Sequence, residues 1–554
     1  MKKLLVYIVF LFPVVIIAQI DQNQEIDKIF AEWNKPETPG ASLGIIKNGE
    51  LIYKKGYGYG DLEHDIKLSS KSVFYIGSVS KQFVTFAVLL LEEQGKINLD
   101  DEIQKYLPDF PKYDAPLTIR HFIHHTSGVR DYLTLMFLKG RDYLDHIEEE
   151  QVYELIKNQK ELNFTPGERY LYSNSCYFML AMIVEKAAGE SLRTFAEKNM
   201  FAPLGMKHTL FYDDNRDLIK NKVFSYEPKE EGGFNNLIMR FDLVGSGGVY
   251  SSVEDLVLWD QNFYNNKLGK GGQQIINKMH EEGLLNDGTS SGYAFALNNG
   301  EYRGLRTVSH GGALAGYRAQ LMRFPDQNFS VIVLANRGDA NPTAMSYRVA
   351  DVMLKDQLEE EKKENPNTEI TAVNKKEPAT ITMTEAVGSY QIQPGVVIDV
   401  SVNNDSLYVN QKWNNVSYSI YRTTGDTYEI PNNTNVQFIF SNLENKNAQT
   451  LTVVQNGNPT ACQRIDTLNL DDVDLSVYVG KYYSEELDAT SQVFLESNKL
   501  MVKPPNSSKV ELVLSEEDLF VADGIVFRFQ RKDDTIVGCR IDAGRVQNLE
   551  FIKQ

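Results

Sequence analysis

The order of apolar and polar residues predicts both helices and antiparallel strands in the first two thirds of the chain. Strand-like runs flank Lys47-Asn48-Gly49-Glu50, and an Asn-Gly pair between two such runs is typical of a hairpin. After Gly77 the apolar residues return at helical spacing as far as Gly95 and cover most faces, which predicts a buried helix. Ser252 is a favoured N-cap residue with Asp255 at the third helical position, and it predicts the start of a second helix.

Two further strands are predicted later in this region, at residues 317–324 and 329–336. They are joined by Pro325-Asp326-Gln327-Asn328, which is a run of turn-forming residues. Helices and antiparallel strands are therefore mixed within one unit, which predicts an α+β domain over residues 24–354.

The chain after residue 354 has a different character. Residues 355–380 are polar and highly charged, with the run Glu359-Glu360-Glu361-Lys362-Lys363-Glu364 at their centre, and they predict a linker. Everything beyond is rich in Val, Tyr, Phe and Thr and is divided by turn residues, which is typical of short strands. No helix is evident in this tail.

A short motif occurs twice in the tail. Val387-Gly388-Ser389-Tyr390 returns as Val479-Gly480-Lys481-Tyr482, 92 residues later. Further apolar matches keep offsets of 89 to 93 residues: Leu407 with Leu500, Tyr428 with Phe520, and Phe438 and Phe440 with Phe527 and Phe529. Such matches indicate an internal duplication. We therefore expect two small antiparallel barrels or sandwiches, at residues 381–470 and 471–554.

The N-terminus has the pattern of an export signal. Lys2 and Lys3 precede an apolar run from Leu4 to Ala18, which is short for a membrane span and has the layout of a secretory signal peptide. Cleavage is expected near Ala18, so that residues 1–18 would be removed, although an uncleaved anchor remains an alternative. The expected location is the periplasm or the cell exterior.

Composition and charge narrow the range of partners. With 42% apolar and 24% charged residues, the chain is ordinary globular material rather than a disordered or polytopic membrane protein. Its 57 basic and 75 acidic side chains give a net charge of −18, which would repel nucleic acids and anionic lipid surfaces. Three cysteines are too few for a disulfide framework. Small molecules are better candidate ligands than nucleic acids, and the oligomeric state stays open.

The first candidate for chemistry is Ser78-Val79-Ser80-Lys81, at the start of the buried helix. Residues three apart share a helix face, so the Ser78 hydroxyl and the Lys81 amine can approach each other. Serine is a weak nucleophile that needs a neighbouring base, and a desolvated lysine can supply one. The alternative is that S-x-x-K is a common string and that Lys81 only extends its amine towards solvent.

Two further motifs follow in the order of a known family. Tyr172-Ser173-Asn174 lies before an apolar stretch, and His310-Gly311-Gly312 lies before a strand. With S-x-x-K they resemble the three motifs of the penicillin-recognising serine hydrolases, which include class C β-lactamases, D,D-carboxypeptidases, esterases and D-aminopeptidases. The segments Tyr75-Ile76-Gly77 and His125-Thr126-Ser127-Gly128 also look like that family.

The resemblance implies a fold and a set of roles. The fold would be an antiparallel sheet flanked by helices, as in β-lactamases and transpeptidases, and the two tail units would be similar to lipocalin-like barrels. One of these barrels could lend a loop to the active-site rim. The roles carried over by position are the nucleophile Ser78, the acid and base Lys81 and Tyr172, the substrate-binding Asn174, His310, Gly311 and Gly312, and the oxyanion-hole N–H groups of Ser78 and Ala313.

His310 departs from the K-T-G motif of the lactamases, where a lysine stands. A histidine adds charge only when it is protonated, so we expect activity to carry an extra ionisation near neutral pH. A weaker grip on a β-lactam carboxylate is also expected. The resemblance therefore favours a peptidase on D-amino-acid peptides first, a carboxylesterase second and a weak β-lactamase third, with a catalytically silent binding protein as a further alternative.

Other conspicuous residues have structural explanations. His121, His124 and His125 match no common zinc-site spacing, and neither a metal nor a cofactor is expected. Cys176 lies two residues after Asn174 and is better explained as a small buried apolar residue than as a nucleophile. A disulfide between Cys462 and Cys539 is left open.

Overall fold

The computed structural model describes residues 22–360 and 379–554, apart from residues 394, 404–405, 413–415, 432, 456–457 and 466–472. The predicted signal at residues 1–18 and most of the predicted linker lie outside the described residues. The chain divides into two compact units, Met1–Leu133 with Asp142–Lys362, and Thr134–Arg141 with Lys363–Gln554. Within the described ranges, no helix is long and apolar enough to cross a membrane.

The first unit is built on a six-stranded antiparallel sheet. The last strand of this sheet, Phe329–Ala335, pairs with the first strand, Ala41–Lys47. From one edge to the other the strands are Asn298–Tyr302, Leu305–Leu314, Tyr317–Phe324, Phe329–Ala335, Ala41–Lys47 and Glu50–Tyr57. Three small sheets accompany it: Tyr59–Asp61 with Ile66–Lys67; Phe74–Tyr75, Val249–Ser251 and Leu210–Phe211; and Tyr226–Pro228 with Phe234–Asn236. The hairpin predicted at residues 47–50 and the strand predicted at 317–324 are both present.

Helices Val253–Asn262 and Pro342–Met353 pack against this sheet. Between residues 22 and 360 the α-helices are Lys81–Glu93, Ile119–Ile123, Tyr132–Leu138, Glu149–Lys157, Asn174–Ala188, Leu192–Ala196, Ala202–Leu204, Val253–Asn262, Gln273–Met279 and Pro342–Met353. Most of Tyr132–Leu138 groups with the second unit. Short turns of tighter or wider helix lie at Ala31–Trp33, Gly77–Ser80, Ile103–Lys105, Glu197–Phe201 and Pro325–Gln327. The helix predicted from Ser252 begins as expected, because the Ser252 hydroxyl accepts a hydrogen bond from the Asp255 N–H at 3.2 Å.

The Lys81–Glu93 helix is the buried helix that the sequence predicts. Every residue from Lys81 to Leu91 is buried, and Gly95 ends the helix with the positive φ of a glycine C-cap. Trp259, on the Val253–Asn262 helix, packs against the rings of Phe83 and Phe86. The start of this helix is therefore held in a rigid, solvent-excluded surrounding.

A buried ion pair fastens the Val253–Asn262 helix to the sheet. Arg323 on the Tyr317–Phe324 strand donates to Asp260 at 2.7 Å, and the two side chains are 1% and 0% exposed. The guanidinium also lies 3.8 Å from the centre of the Phe263 ring. Burial raises the pKa of Asp260 and lowers that of Arg323, as expected when charged forms lose their hydration.

The second unit contains two antiparallel barrels. The first is a closed barrel of eight strands: Gly388–Gln393, Val396–Asn403, Ser406–Gln411, Val416–Thr424, Thr427–Ile430, Asn433–Glu444, Asn447–Gln455 and Asn458–Ile465. The second has nine strands and is nearly closed: Gly480–Ser484, Ala489–Glu496, Lys499–Lys503, Val510–Glu511, Val513–Glu516, Leu519–Ala522, Ile525–Lys532, Thr535–Ala543 and Val546–Lys553. The predicted fold class, α+β followed by two all-β barrels, is confirmed.

The two barrels share a detail at the repeated motif. The Tyr390 hydroxyl donates to the Ala386 carbonyl at 2.8 Å, and the equivalent Tyr482 hydroxyl donates to the Tyr478 carbonyl at 2.6 Å. In each barrel the accepting carbonyl belongs to the last residue of a one-turn helix, Met383–Ala386 or Leu475–Tyr478, which precedes the first strand. The prediction of a tail without helices is wrong at these two turns, because a single turn is too short to show helical periodicity.

The second unit also includes the short segment Thr134–Arg141 from the first half of the chain. Lys139 Nζ donates to the Leu487 carbonyl at 2.7 Å. A side chain at Gly140 would come within 2.0 Å of the Pro505 carbonyl oxygen, so the backbone approaches the second barrel as closely as a glycine allows. Cys462 and Cys539 are both buried free thiols, so the disulfide left open above is not formed.

Candidate active site

The structure brings Ser78 and Lys81 into direct contact. Ser78 lies in the turn Gly77–Ser80, and Lys81 is the first residue of the helix that follows. Lys81 Nζ is 3.0 Å from Ser78 Oγ, and the lysine is fully buried. The alternative in which Lys81 reaches solvent is therefore wrong. A buried amine beside a serine hydroxyl is the arrangement that can activate the hydroxyl as a nucleophile.

Two acceptors hold the Lys81 amine in place. Nζ donates to Asn174 Oδ1 at 2.9 Å and to the Ser246 carbonyl at 2.5 Å. Asn174 begins the Asn174–Ala188 helix, and Ser246 lies just before the Gly247-Gly248 pair. The sequence identifies Asn174 through the Tyr-x-Asn motif. It does not identify Ser246, which acts through its backbone and has no motif of its own.

Behind Asn174 lies a buried carboxylate that the sequence analysis did not single out. Asp131 Oδ2 accepts from the Asn174 backbone N–H at 2.7 Å and from Asn174 Nδ2 at 2.8 Å, and Asp131 is 0% exposed. Its neighbour Tyr132 shares a hydroxyl–hydroxyl hydrogen bond of 2.8 Å with Ser246. The only signal in the sequence is that both residues closely follow the segment His125-Thr126-Ser127-Gly128.

Tyr172 places its ring beside the amine. The Lys81 Nζ atom lies 4.9 Å from the centre of the Tyr172 ring and 5.5 Å from that of Tyr177, within the range of cation–π attraction. The Tyr172 ring also packs against the ring of His125, with ring centres 4.1 Å apart. His125 Nδ1 in turn accepts from the Ser173 N–H at 3.1 Å, which fixes the loop that carries Tyr172.

Two glycines allow the turn before Ser78 to meet the strand after His310. A side chain at Gly312 would lie 2.0 Å from the Ile76 carbonyl oxygen and 3.0 Å from the Ser78 nitrogen, and one at Gly77 would lie 2.6 Å from the Ala313 nitrogen. The backbone nitrogens of Ser78 and Ala313 therefore lie on the two sides of one close crossing. Two N–H groups in such an arrangement can stabilise an oxyanion.

His310 is buried beside this crossing with both ring nitrogens bonded. Nδ1 is 2.7 Å from the Gly311 carbonyl, which can only accept, so Nδ1 carries the proton. Nε2 is then the acceptor for the Tyr293 hydroxyl at 2.8 Å. Burial and the nearby charge of Lys81 lower the pKa of His310 to about 4. The ionisation expected near neutral pH is therefore wrong for His310, which is an uncharged group above about pH 5.

Tyr293 is a residue of this site that sequence reasoning missed. It lies at the centre of an aromatic cluster, with ring centres 4.8 Å from His125, 6.2 Å from Tyr172 and 5.8 Å from His310. Burial raises the pKa of Tyr293 well above its usual range, so the hydroxyl stays protonated and donates. It belongs to none of the three motifs, and no local pattern marks it.

The remaining conspicuous residues have structural roles. His121 completes a capping box with Thr118, and His124 Nδ1 lies 3.0 Å from the Tyr293 carbonyl. Cys176 is buried against the Ser127 hydroxyl at 3.1 Å, and burial raises the pKa of its thiol to about 11, which is unsuited to a nucleophile. In the part of the chain that the structure describes, no group of three His, Cys, Asp or Glu side chains is arranged to hold a metal ion.

The chain is similar in sequence to several known proteins. The β-lactamase family model matches residues 26–353. Penicillin-binding protein 4* of Bacillus subtilis is 30% identical over 411 residues, which cover 70% of this chain and 87% of that protein. The D-aminopeptidase of Brucella canis is 30% identical over 308 residues, so the match covers 55% of this chain and 58% of that relative.

A solved structure shows the same architecture over most of the chain. The octameric penicillin-binding protein homologue from Pyrococcus abyssi aligns with 87% of this chain and 97% of its own, with a TM-score of 0.56 and 21% identity. At that identity the likeness concerns the fold. The family model and the Bacillus relative establish the relationship: the chain belongs to the β-lactamase family and is a serine hydrolase of that family.

Proposed function

We propose that the protein is an exported hydrolase that forms an acyl-enzyme on Ser78 and cleaves peptides or amides of D-amino acids. The observation that carries the proposal is the contact of one buried amine, Lys81 Nζ, with Ser78 Oγ, Asn174 Oδ1 and the Ser246 carbonyl. Export is inferred from the signal pattern at residues 1–18.

The chemistry starts with the hydrogen-bond capacity of Lys81. As an ammonium group, Lys81 has three donors and no acceptor, so it can act as a base only after it has released one proton to solvent. The resulting amine has two N–H groups and one lone pair. The Asn174 and Ser246 oxygens are acceptors and take both N–H groups, which leaves the lone pair directed at the Ser78 hydroxyl. Lys81 then accepts the Ser78 proton as Oγ bonds to the substrate carbonyl carbon.

The other roles follow from position. The Ser78 and Ala313 N–H groups stabilise the oxyanion that forms on the carbonyl oxygen. Tyr172 shares acid and base duties with Lys81: the proton that Lys81 takes from Ser78 passes through Tyr172 to the leaving amine. Asn174, His310, Gly311 and Gly312 line the side on which substrate binds. Water then attacks the acyl carbon, one of its protons passes through Tyr172 and Lys81 to Ser78 Oγ, and the product acid leaves.

The uncharged state of His310 supports an amide substrate over a β-lactam. With a pKa of about 4, His310 offers no positive charge to a β-lactam carboxylate at neutral pH. The similarity to a D-aminopeptidase supports D-configured substrates.

The test is a hydrolysis panel with purified protein and with Ser78→Ala as control. It compares D- and L-alanine p-nitroanilide, a D-Ala-D-Ala peptide, a nitrophenyl ester and nitrocefin between pH 5 and 9. We expect the D-anilide to be cleaved at least tenfold faster than its L-enantiomer, and Ser78→Ala to be inactive. Equal rates on both enantiomers, or nitrocefin as the best substrate by kcat/KM, would overturn the assignment.

The catalytically silent alternative is tested by covalent labelling. A fluorophosphonate probe should modify wild-type protein at Ser78, as read by mass spectrometry of the labelled peptide. Absence of any adduct at Ser78 would favour a binding protein. Export is tested by sequencing the N-terminus of protein recovered outside the cytoplasm, which should begin near Gln19.

A further inference from the structure

We propose that Asp131 is a positioning residue for the hydrolysis, acting through Asn174. It holds the Asn174 side chain in the one orientation that leaves the Lys81 lone pair for Ser78. The inference deepens the proposed function and rests on Ser78 and Lys81 having the roles given there.

An amide side chain is asymmetric, with an acceptor on one side and a donor on the other. Turned by 180°, the Asn174 side chain would exchange its Oδ1 acceptor for its Nδ2 donor. Asp131 Oδ2 already accepts from the Asn174 backbone at 2.7 Å and from Nδ2 at 2.8 Å. A carboxylate can only accept, so Nδ2 must face Asp131 and Oδ1 must face Lys81.

The orientation of the Asn174 amide acts on the Lys81 amine. Oδ1 at 2.9 Å and the Ser246 carbonyl at 2.5 Å are acceptors for two N–H groups of Lys81, so that the deprotonated amine would keep its lone pair for Ser78. A turned amide would present Nδ2 to the amine and compete with the Ser78 hydroxyl for the single lone pair. The orientation of Asn174 therefore decides whether Lys81 can act as the base for Ser78.

Asp131 is itself firmly held. The Ser175 hydroxyl donates to the Arg130 carbonyl at 2.6 Å, and the Tyr132 N–H donates to Ser175 Oγ at 2.8 Å. The backbone on both sides of Asp131 is thus bonded to the second residue of the Asn174–Ala188 helix. The carboxylate has little freedom to leave Asn174.

A purely structural role is the competing explanation. The Asn174 N–H lies at the start of the Asn174–Ala188 helix, where a carboxylate is favourable, and the N-cap residue Ser173 makes no side-chain cap bond. If Asp131 only caps this helix, its replacement should lower stability and leave the reactivity of folded protein unchanged.

The experiment uses the full chain and measures the second-order rate of Ser78 phosphonylation by a fluorophosphonate. Asp131→Asn retains a possible acceptor for the helix N–H but no longer dictates the Asn174 orientation. We expect the rate to fall about tenfold to a hundredfold, the equivalent of one charge-assisted hydrogen bond. Asp131→Glu, which keeps the carboxylate, should retain more of the rate than Asp131→Asn.

Two comparisons separate positioning from capping. Asp255→Asn is the matched control, because Asp255 is also buried and accepts from His208 N–H at 2.6 Å and Thr209 Oγ1 at 2.9 Å away from the site. It should lower the melting temperature and leave the labelling rate within twofold of wild type. In an Asn174→Ala background, Asp131→Asn should cause little further loss of rate, because its intermediary is already absent.

The outcomes distinguish the two proposals. No labelling of wild-type Ser78 would overturn the proposed function. If wild type is labelled normally and folded Asp131→Asn has an unchanged labelling rate, only the role of Asp131 is overturned. The same holds if the rate losses of Asn174→Ala and Asp131→Asn multiply in the double variant. If Asp131→Asn does not fold, the labelling rate of folded Asp131→Glu is used instead. A rate equal to wild type together with a lowered melting temperature would mean that Asp131 only caps the helix and does not position Asn174.

Discussion

The substitution Gly312→Ala tests the proposed oxyanion hole most directly. The added methyl group would lie 2.0 Å from the Ile76 carbonyl oxygen and 3.0 Å from the Ser78 nitrogen. Because unbonded carbon and oxygen atoms do not approach within about 3 Å, the turn and the strand must separate by about 1 Å. Both atoms that would be crowded belong to backbone, so a side-chain rotation cannot relieve the clash.

A separation of this size acts on the two proposed oxyanion donors. A hydrogen bond lengthened by about 1 Å is effectively lost. Loss of one oxyanion donor lowers kcat by about 100- to 1,000-fold, or about 2.7–4 kcal/mol of transition-state stabilisation. Substrate binding before reaction needs no oxyanion contact, so KM should change much less than kcat.

The assay is steady-state and burst kinetics on the best substrate from the panel, with melting temperatures recorded in parallel. Gly338→Ala is the control, since the nearest atom to its added methyl group would be Arg318 Nη2 at an ordinary 3.6 Å. It should retain wild-type kcat. A Gly312→Ala enzyme that stays folded with kcat within threefold of wild type would refute the assignment of the hole to Ser78 and Ala313.

Three further predictions concern buried polar groups. His310 has a folded pKa of about 4 against 6.5 for the free side chain, so the unfolded state takes up its proton first and stability falls as pH drops from 6.5 to 4. Between pH 7 and pH 5 the unfolding free energy of His310→Asn should therefore fall by about 2 kcal/mol less than that of wild type in urea titrations. Tyr293→Phe removes the donor to His310 Nε2 and should cost about 1–3 kcal/mol of stability by the same measurement; an unchanged value would contradict the bond. Arg323→Met leaves Asp260 buried without its cation and should lower the unfolding free energy by about 3–5 kcal/mol. Adding Asp260→Leu should recover part of this loss, and equal losses in the single and the double variant would contradict the pairing.

The elements that the sequence predicts well are those with a long, regular pattern. The strand at 317–324 and the helix from Ser252 appear where expected, because alternation and capping are local properties of the chain. The one-turn helix Met383–Ala386 was not predicted. Its capping box of Thr382 and Glu385 is present in the sequence, but four residues give no period to detect.

In the candidate site, too, residues within a local sequence pattern are predicted and residues outside one are not. Ser78, Lys81 and Asn174 belong to short motifs, so a reader of the sequence can find them and their meeting can be expected. Ser246 and Tyr293 come from distant loops and enter the site only when the chain folds. The state of His310 was predicted wrongly for a related reason, because its pKa depends on a burial that no motif encodes.

The segment Thr134–Arg141 has a practical consequence for dividing this protein. This stretch groups with Lys363–Gln554. Cutting the chain at the linker therefore does not yield the two compact units intact. A product ending near Leu354 would keep Thr134–Arg141 but lose Leu487, which accepts from Lys139, and Pro505, which packs at Gly140. A product that contains only Lys363–Gln554 would in turn lack Thr134–Arg141, which belongs to the same unit. Each product is therefore expected to be less stable than the same residues in the intact chain.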